Sequence, residues 1–257
     1  MSVIGAKTTR LNHFFRSGPM PCPYLSGRIE RKLFTRMTGP DAASLNSILS
    51  QAGFRRSHDV VYRPVCPGCN ACVPVRIPVG RFAAGRTMRR IAAANADLVL
   101  SEHAARATEE QYSLFMRYQR RRHGDSDMAR MSFSDYASMI EEGAVAASMF
   151  EFRAPGDTEA GEPDRLVAAI LTDRLDDGLS AVYSFFEPEG PYPSLGTWMI
   201  LALIEETRRR GLDHVYLGYW IAESRKMAYK AKFRPLEGLV DGAWIDIEPA
   251  SHGRASD

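Results

Sequence analysis

The stretch Leu195-Gly196-Thr197-Trp198-Met199-Ile200-Leu201-Ala202-Leu203 carries the strongest structural signal in this 257-residue chain. Its apolar side chains recur at i, i+3, i+4, i+7 and i+8, which places them on one face of an α-helix. Gly211 is expected to end the helix after three arginines at positions 208–210, whose charges suit a helix C-terminus. The residues after this glycine, 214–219, have the pattern of a strand, so the helix is predicted to lead directly into a strand.

The sequence patterns on both sides of this helix predict strands, which together with the helix form a mixed α/β layer. Strands are predicted over residues 145–152, 166–173 and 179–186. The turn residues Asp176-Asp177-Gly178 join the last two as a hairpin, and a short helix over residues 224–232 precedes a final strand. Hairpin, crossover helix, parallel strand and short helix together predict an α/β (α+β) fold. This order resembles the core of the GCN5-related N-acetyltransferase fold, with Ala228-Tyr229-Lys230-Ala231-Lys232-Phe233 in the closing helix.

The N-terminal half alternates shorter elements with irregular stretches. Thr108 and Gln111 have the spacing of a capping box that opens a helix. The other predicted elements are strands over residues 31–37, 58–63, 71–79 and 97–103 and helices over residues 40–52, 87–94 and 134–142. Residues 1–27 are predicted to be irregular because Gly18-Pro19-Met20-Pro21-Cys22-Pro23 disfavours regular structure. We predict a smaller, cysteine-containing N-terminal domain at residues 1–105 and an acyltransferase-like domain at residues 106–257.

Length and composition fit one large hydrophobic core or two modest ones. No run of residues reaches the length of a membrane span, and residues 1–30 contain Arg, His and Pro in place of an apolar signal-peptide core. We therefore expect no membrane partner and a cytoplasmic location. In that reducing compartment the four cysteines are expected to be free thiols or metal ligands and not disulfides.

The net charge of +2 conceals a division between the two halves of the chain. Residues 1–130 hold 21 Lys and Arg against 9 Asp and Glu, a net charge of +12. Residues 131–257 hold 12 against 22, a net charge of −10. Chance clustering of solvated charges is one explanation. The other is that the basic half binds a polyanion, because Lys and Arg contacts to phosphate supply most sequence-independent affinity for nucleic acid.

Three cysteines form the motif Cys66-Pro67-Gly68-Cys69-Asn70-Ala71-Cys72. This spacing lets thiolates converge on one cation, as in zinc knuckles, and also resembles part of an iron–sulfur run. A closed site needs a fourth ligand, for which Cys22 is the natural candidate and His58 or His13 the substitutes. The alternative is that reduced cysteines only shape a turn. A structural zinc or an iron–sulfur cluster therefore stays possible, and a catalytic thiol is less favoured.

Arginines are concentrated in two clusters. Eight lie among the 36 residues from position 55 to position 90, and a second group lies at positions 117 and 120–122. The planar guanidinium suits phosphate and stacked bases better than an ammonium does. Some of these arginines are expected to be ordinary ion-pair partners.

Two segments of the C-terminal half are candidates for a ligand site. Ser194 and Gly196 lie where an acetyltransferase holds the pyrophosphate of coenzyme A, but the usual glycine-containing run is absent, which argues against coenzyme A as donor. Aromatic and cationic residues follow the strand at 214–219, in Leu217-Gly218-Tyr219-Trp220-Ile221 and in residues 224–230. Ligands bind at such strand ends in open α/β sheets. The alternative is that the aromatics are core residues and the lysines face solvent.

These motifs together resemble the arginyl/leucyl-tRNA–protein transferases, and within them the bacterial aspartate/glutamate leucyltransferases of the N-degron pathway. The matching stretches are residues 22–25, 53–57, 62–77, 194–197, 217–221 and 226–230. The resemblance implies an enzyme that takes an aminoacyl group from a charged tRNA and attaches it to the N-terminal Asp or Glu of a protein, which marks that protein for degradation. The short bacterial type with three clustered cysteines implies leucine, and nothing in the residues themselves separates leucine from arginine.

The resemblance also guides the assignment of site residues. The catalytic candidates are Tyr219, Lys226, Tyr229, Lys230 and Glu187, with Glu223 as an alternative base. The candidates for substrate binding are Arg76, Trp220, Ser224, Ser194 and Gly196. The candidates for tRNA binding are Arg55, Arg56, Arg86, Arg89, Arg90 and Arg121. No cofactor is required for transfer, because the aminoacyl ester is already activated. An acetyl-CoA-dependent acetyltransferase and a non-enzymatic zinc and nucleic-acid-binding module are the rival hypotheses.

Overall fold

The computed structural model describes residues 13–124, 126–143, 145–156, 160–161 and 163–248. The strands are β1 (Phe15–Arg16), β2 (Met20–Pro21), β3 (Ile29–Glu30), β4 (Lys32–Arg36), β5 (Arg55–Ser57), β6 (Val60–Pro64), β7 (Val73–Pro78), β8 (Val99–Ala104), β9 (Ala147–Ala154), β10 (Arg165–Arg174), β11 (Gly178–Phe186), β12 (His214–Trp220), β13 (Glu237–Val240) and β14 (Ala243–Asp246). The α-helices are α1 (Ala42–Gln51), α2 (Arg86–Ala94), α3 (Glu109–His123), α4 (Phe133–Glu141) and α5 (Leu195–Arg209). Short 3₁₀ helices cover Asp127–Arg130 and Arg225–Lys232.

An eight-stranded sheet forms the centre of the molecule, in the order β14-β13-β7-β12-β11-β10-β9-β8. Strands β10 and β11 form the predicted antiparallel hairpin, and β12 lies parallel to β11 after the crossover helix α5. The predicted helix is confirmed: it buries one face that includes Leu195, Met199 and Leu203, and Gly211 follows it with a left-handed φ of 66°. The predicted α/β fold is therefore confirmed, and the hairpin, crossover helix and parallel strand have the order expected for the C-terminal core.

Helices cover both faces of this sheet. Strand β10 alternates its buried side chains, so that Ala168 and Ile170 pack in the larger hydrophobic core with α5 and α2, whereas Ala169 and Leu171 pack in a second core with α3 and α4. The capping box predicted at Thr108 and Gln111 opens α3. The central strands are thus buried on both sides, and the site can open only at a strand end or where neighbouring strands separate.

The N-terminal segment is more regular than predicted. Residues 1–12 lie outside the described part of the chain, but β1 and β2 lie inside the stretch expected to be irregular, where β1 pairs with β4 and β2 pairs with β3. A two-residue ladder tolerates Pro21 because so few backbone donors are needed there. Strand β5 was not predicted either, and it completes a four-stranded sheet, β1-β4-β6-β5. The Gly-, Pro- and acid-containing stretch at residues 154–164 has the composition of a loop and lies partly outside the described residues.

The division predicted at residue 105 does not coincide with a break in the central sheet. Strands β7 and β8 come from the N-terminal side of that position, and β7 lies between β12 and β13 of the C-terminal side. The boundary stays a prediction, but the two parts share one sheet. Across the described ranges, no helix combines the length and the apolar character that crossing a membrane requires.

A buried ion pair joins the small sheet to the central one. The Arg56 guanidinium on β5 donates to both carboxylate oxygens of Asp173 on β10, at 2.7 Å each. The two side chains are 2% and 1% exposed, and Asn46 of α1 donates to the same carboxylate at 3.1 Å. Arg56 is therefore removed from the surface on which a tRNA contact was predicted.

Asp173→Asn should lower the free energy of unfolding by about 3–5 kcal/mol, because it leaves the buried Arg56 guanidinium without a counter-charge. The matched control is Asp59→Asn, which breaks the exposed ion pair of Asp59 with Arg36 and should cost less than about 1 kcal/mol. Urea unfolding followed by circular dichroism measures both losses. Equal, small losses in the two variants would show that the buried pair does not hold the sheets together.

Candidate active site

A cavity opens where β11 and β12 separate. The two strands pair only from Gly178 to Ser180 against His214 to Tyr216, and the register of β12 against β7 then shifts before Tyr219. Gly218, with φ of 69°, lies in this irregular part of β12. The strands beyond the paired residues enclose a cavity of about 590 Å³.

The cavity has an apolar inner wall and a polar rim. Buried side chains of Ile170, Met199, Ile200, Leu217 and Met227 form the inner wall. Ser194 and Gly196, at the start of α5, line the cavity as predicted for a substrate site. Four cationic side chains reach the cavity: Arg55, Arg122, Lys226 and Lys230. Among the described residues that line it, none is an Asp or a Glu.

Lys230 is the most deeply buried of these cations. Lys230 is 4% exposed. Its Nζ donates to the carbonyl oxygen of Leu217 at 2.7 Å and to that of Tyr219. Burial lowers the pKa of the Lys230 ammonium well below its ordinary value, and the nearby Arg55 guanidinium lowers it further. This environment favours the neutral amine over the ammonium.

Arg55 enters the cavity from the small sheet. Its Nη2 donates to the carbonyl oxygen of Val182 at 2.5 Å, and its side chain crosses the backbone of Gly218. A Cβ atom at position 218 would lie 3.0 Å from the Arg55 Cδ and Nη1 atoms, so glycine makes room for the guanidinium. Arg55, predicted as a tRNA contact, therefore faces the same space as Lys230.

The other predicted residues of the 219–229 segment divide into two groups. Lys226 and Tyr229 line the cavity and are exposed, so they lie at its rim. Tyr219 is buried. Its hydroxyl donates to the carbonyl oxygens of Gly53, at 3.0 Å, and of Tyr62, at 2.9 Å, and therefore points toward the small sheet. Ser224 and Trp220 are likewise absent from the lining, and Trp220 packs against the larger core.

Glu187 and Arg76 lie elsewhere. The Glu187 carboxylate accepts two hydrogen bonds from the guanidinium of Arg117, at 3.2 and 2.9 Å, and does not line the cavity. The Arg76 side chain is 13% exposed. Its guanidinium donates to the Glu237 carboxylate at 2.7 Å and lies 4.3 Å from the centre of the Trp244 ring. Both groups already have partners of opposite charge, which weakens the case for Glu187 as base and for Arg76 as the group that binds the acceptor.

The remaining arginines that were predicted to contact tRNA lie on α2 and α3. Arg86, Arg89 and Arg90 are exposed on α2. Two hydrogen bonds link the chain after α2 to the segment before α5: Asn95 Nδ2 donates to the Pro193 carbonyl at 3.1 Å, and the Tyr192 hydroxyl donates to Asp97 at 2.8 Å. On α3, the exposed Arg121 forms an ion pair with Glu189, with 3.0 Å between its Nε and the carboxylate oxygen. The basic residues therefore flank the segment that leads to Ser194.

Two residues of α3 that line the cavity were missed as individual candidates. Arg122, at the end of α3, belongs to the second arginine cluster, and its guanidinium lies 5.8 Å from the centre of the Phe186 ring. Tyr118 lies one helical turn before it and also lines the cavity. The helical spacing of these two residues was the available signal, but the sequence did not indicate which face of α3 approaches β11.

All four cysteines gather at one place in the N-terminal part. Burial, together with the neighbouring Cys66, Cys22 and Cys69, raises the pKa of the Cys72 thiol to about 12. The Cys22 and Cys66 sulfurs each accept a backbone N–H, from Leu25 at 3.4 Å and from Arg31 at 3.5 Å. Four thiols with such hydrogen bonds are the donor set of a zinc or iron–sulfur site. Within the described residues, however, no three Cys, His, Asp or Glu side chains have the arrangement that holds a metal ion.

Comparisons with known proteins cover nearly the whole chain. Residues 20–90 match the family model described as Arginine-tRNA-protein transferase, N terminus, and residues 110–240 match Arginine-tRNA-protein transferase, C terminus. An aspartate/glutamate leucyltransferase of Rhodospirillum rubrum is 56% identical over 240 residues, which are 93% of this chain and 95% of that protein. The protein of the same name from Granulibacter bethesdensis is 53% identical over 241 residues, 94% of this chain and 88% of that protein.

Among solved structures, that of L-PGS from Bacillus licheniformis superposes with a TM-score of 0.44 at 11% identity. The superposition covers 68% of this chain and 49% of that one.

Proposed function

The chain belongs to the arginine-tRNA–protein transferase family, and we propose that it transfers leucine from leucyl-tRNA to the N-terminal Asp or Glu of acceptor proteins. Two relatives that are 53% and 56% identical to it over 94% and 93% of its length bear the name of this activity. The observation that carries the proposal is the cavity between β11 and β12, which combines an apolar wall with four cations and has no carboxylate among its described lining residues.

The reaction needs an amine, an ester and one proton acceptor. The α-amine of the acceptor attacks the ester carbonyl carbon, a C–N bond forms, and the C–O bond to the terminal ribose of the tRNA breaks. The ribose oxygen leaves with a proton, and the attacking ammonium must first lose one. The enzyme holds the two reactants together and accepts that proton. We propose that both groups meet in the cavity.

Lys230 is suited to accept the proton. A neutral amine has two N–H donors and one lone pair, and the carbonyls of Leu217 and Tyr219 accept from both donors. The lone pair is then left for the acceptor ammonium. Because burial disfavours the charged form, the amine is available for this role at a pH where an exposed lysine is protonated. Glu187, which is bound to Arg117, has no comparable access to the cavity.

The cavity favours leucine over arginine as the transferred residue. Its inner wall is built from Ile170, Met199, Ile200, Leu217 and Met227, which fit a branched aliphatic side chain. An arginine side chain would bring a further positive charge to a space that already holds the charged groups of Arg55, Arg122 and Lys226 and offers no described carboxylate. This arrangement supports a leucyl donor.

The tRNA is proposed to lie across the exposed arginines of α2 and the end of α3. Hydrogen bonds from Asn95 and Tyr192 connect α2 with the segment that enters the cavity at Ser194. Lys226 and Tyr229 line the cavity and are exposed at its rim, which supports the proposal that Lys226 binds the phosphate next to the aminoacylated ribose and that Tyr229 contacts that nucleotide. Of the predicted set, Arg86, Arg89, Arg90 and Arg121 stay candidates, whereas Arg56 is buried and Arg55 lies in the cavity. The charged tRNA places the reaction in the cytoplasm.

The cysteine group is proposed as a structural site for zinc or an iron–sulfur cluster. Cys22, Cys66, Cys69 and Cys72 would hold it, and the group would brace the β2–β3 ribbon against the turn at residues 66–69. Transfer itself needs no cofactor, because the leucyl ester is already activated.

Transfer of radiolabelled amino acid tests donor and acceptor together. Leucyl-tRNA should label peptides that begin with Asp or Glu and leave peptides that begin with Lys or Ala unlabelled. Arginyl-tRNA and acetyl-CoA should label none of the four. Labelling from arginyl-tRNA or acetyl-CoA would overturn the donor assignment, and tight binding of tRNA without transfer would overturn the activity.

The same assay addresses the tRNA surface. Arg89→Glu combined with Arg90→Glu should raise the KM for leucyl-tRNA by about tenfold or more and leave the KM for the peptide unchanged. Arg174→Glu, at an exposed position at the end of β10, is the matched control and should change neither value. An unchanged tRNA KM in the double variant would contradict the proposed surface.

Lys230→Met should lower kcat by about a hundredfold or more, because the proton acceptor is lost. Since the pKa of Lys230 is depressed, the active neutral form prevails above that pKa, and wild-type activity should fall as the pH drops through it. In the variant that limb should disappear, which leaves only the titration of the acceptor amine near pH ~8.

Lys232→Met is the control, because Lys232 is exposed on the same 3₁₀ helix and does not line the cavity. It should retain wild-type kcat and the wild-type pH profile. Wild-type kcat together with an unchanged profile in Lys230→Met would exclude Lys230 as the base.

Metal analysis tests the cysteine site. Purified protein should contain about one zinc per chain, or should show the visible absorption of an iron–sulfur cluster if purified without oxygen. Cys72→Ser should lose that metal and unfold at a lower temperature. Metal-free wild-type protein with full thermal stability would show that the cysteines are only reduced thiols.

A further inference from the structure

Arg55 differs from its neighbour Arg56 in having no counter-charge. The two residues are adjacent on β5, where successive side chains point to opposite sides. Arg56 points to Asp173 and forms the buried ion pair. Arg55 points into the cavity, and no carboxylate of the described residues lies within ion-pair distance of it. A partly buried guanidinium without an anion calls for one from a ligand.

The Arg55 guanidinium is also fixed in position. Its hydrogen bond to the Val182 carbonyl uses one of its five N–H donors and anchors it to β11. Because Gly218 on β12 has no side chain, the Arg55 side chain can pass close to the β12 backbone. The remaining donors form a planar fork, which matches the two oxygens of a carboxylate. The structure thus presents a pre-oriented carboxylate-binding group.

The other cations of the cavity are less suited to this role. Arg122 and Lys226 are exposed at the rim, where water competes for an anion. Lys230 is buried, but its donors are directed to the Leu217 and Tyr219 carbonyls. Arg55 alone, among the described cations of the cavity, is both half-buried and left with unused donors.

We infer that Arg55 binds the side-chain carboxylate of the acceptor's N-terminal residue and thereby sets the selectivity for Asp and Glu. The inference deepens the proposed function and rests on it. Only one or two methylene groups separate the carboxylate of Asp or Glu from its Cα atom. A carboxylate held on Arg55 therefore keeps the α-amine within a few ångströms, on the side where Lys230 lies. Asn and Gln would turn an amide N–H₂ group toward the N–H donors of the guanidinium, which leaves polar groups unpaired.

Arg55→Met removes the charge and the fork. For the wild-type enzyme, kcat/KM for a peptide beginning with Asp should exceed that for the same peptide beginning with Asn by about a hundredfold or more. In the variant this ratio should fall to near one, mainly through a KM for the Asp peptide that rises by about tenfold to a hundredfold. The KM for leucyl-tRNA should not change. A raised KM for leucyl-tRNA would instead indicate that the tRNA surface is disturbed.

Two further variants keep the outcome decisive. Arg55→Lys retains the charge without the planar fork and should give an intermediate ratio of kcat/KM for the Asp and Asn peptides. This variant replaces Arg55→Met as the test if Arg55→Met does not fold. Arg174→Met, at an exposed position, should keep the wild-type ratio. Variants at position 55 that fold and retain the wild-type ratio would overturn the inference. If the wild-type enzyme transfers leucine to no peptide, the proposed function itself has failed, and that result is separate from any change at Arg55.

Discussion

The separation of β11 from β12 is the constraint on which the site depends. Parallel strands satisfy each other's backbone groups, and these two stop doing so after Ser180 and Tyr216. Backbone carbonyls beyond that point need other donors, because a buried carbonyl without one is costly. Lys230 donates to the carbonyls of Leu217 and Tyr219, and Arg55 donates to that of Val182. The two cations are thus held where they are by the same backbone irregularity that opens the cavity.

The coupling between the two parts of the chain follows from this arrangement. Strand β5 belongs to the small sheet, yet its two arginines make opposite connections to the central one. Arg56 is neutralised by Asp173 and fixes β5 against the end of β10. Arg55, one residue earlier, is thereby brought into the cavity without a counter-charge. The position of the cavity-facing cation therefore depends on a buried ion pair outside the cavity, and the site is incomplete without the N-terminal part.

The C-terminal core could be predicted because its signals are local. The helical periodicity of residues 195–203 and the turn residues before Gly178 depend on neighbours in sequence, and the structure has the hairpin, helix and parallel strand that they indicate. Lys226 and Lys230 follow the end of the strand at residues 214–219, where cationic and aromatic residues and the family resemblance predict a ligand site, and both line the cavity. Tyr219 was placed there too, but the shifted register around Gly218 turns its hydroxyl toward Gly53 and Tyr62 instead. A backbone irregularity of this kind leaves no periodic signal in one sequence.

The arginines show the other limit. Arg55 and Arg56 are identical in type and adjacent, and composition assigns them the same role as surface contacts for a polyanion. Their different surroundings come from a three-residue strand that has no hydrophobic alternation, and from an aspartate 117 residues away in the chain. A half-buried cation with no described carboxylate beside it is costly to desolvate. On the inference that Arg55 binds the acceptor, an anionic acceptor removes that cost, and selectivity for acidic N-termini and stability of the bound state are two consequences of one unpaired charge.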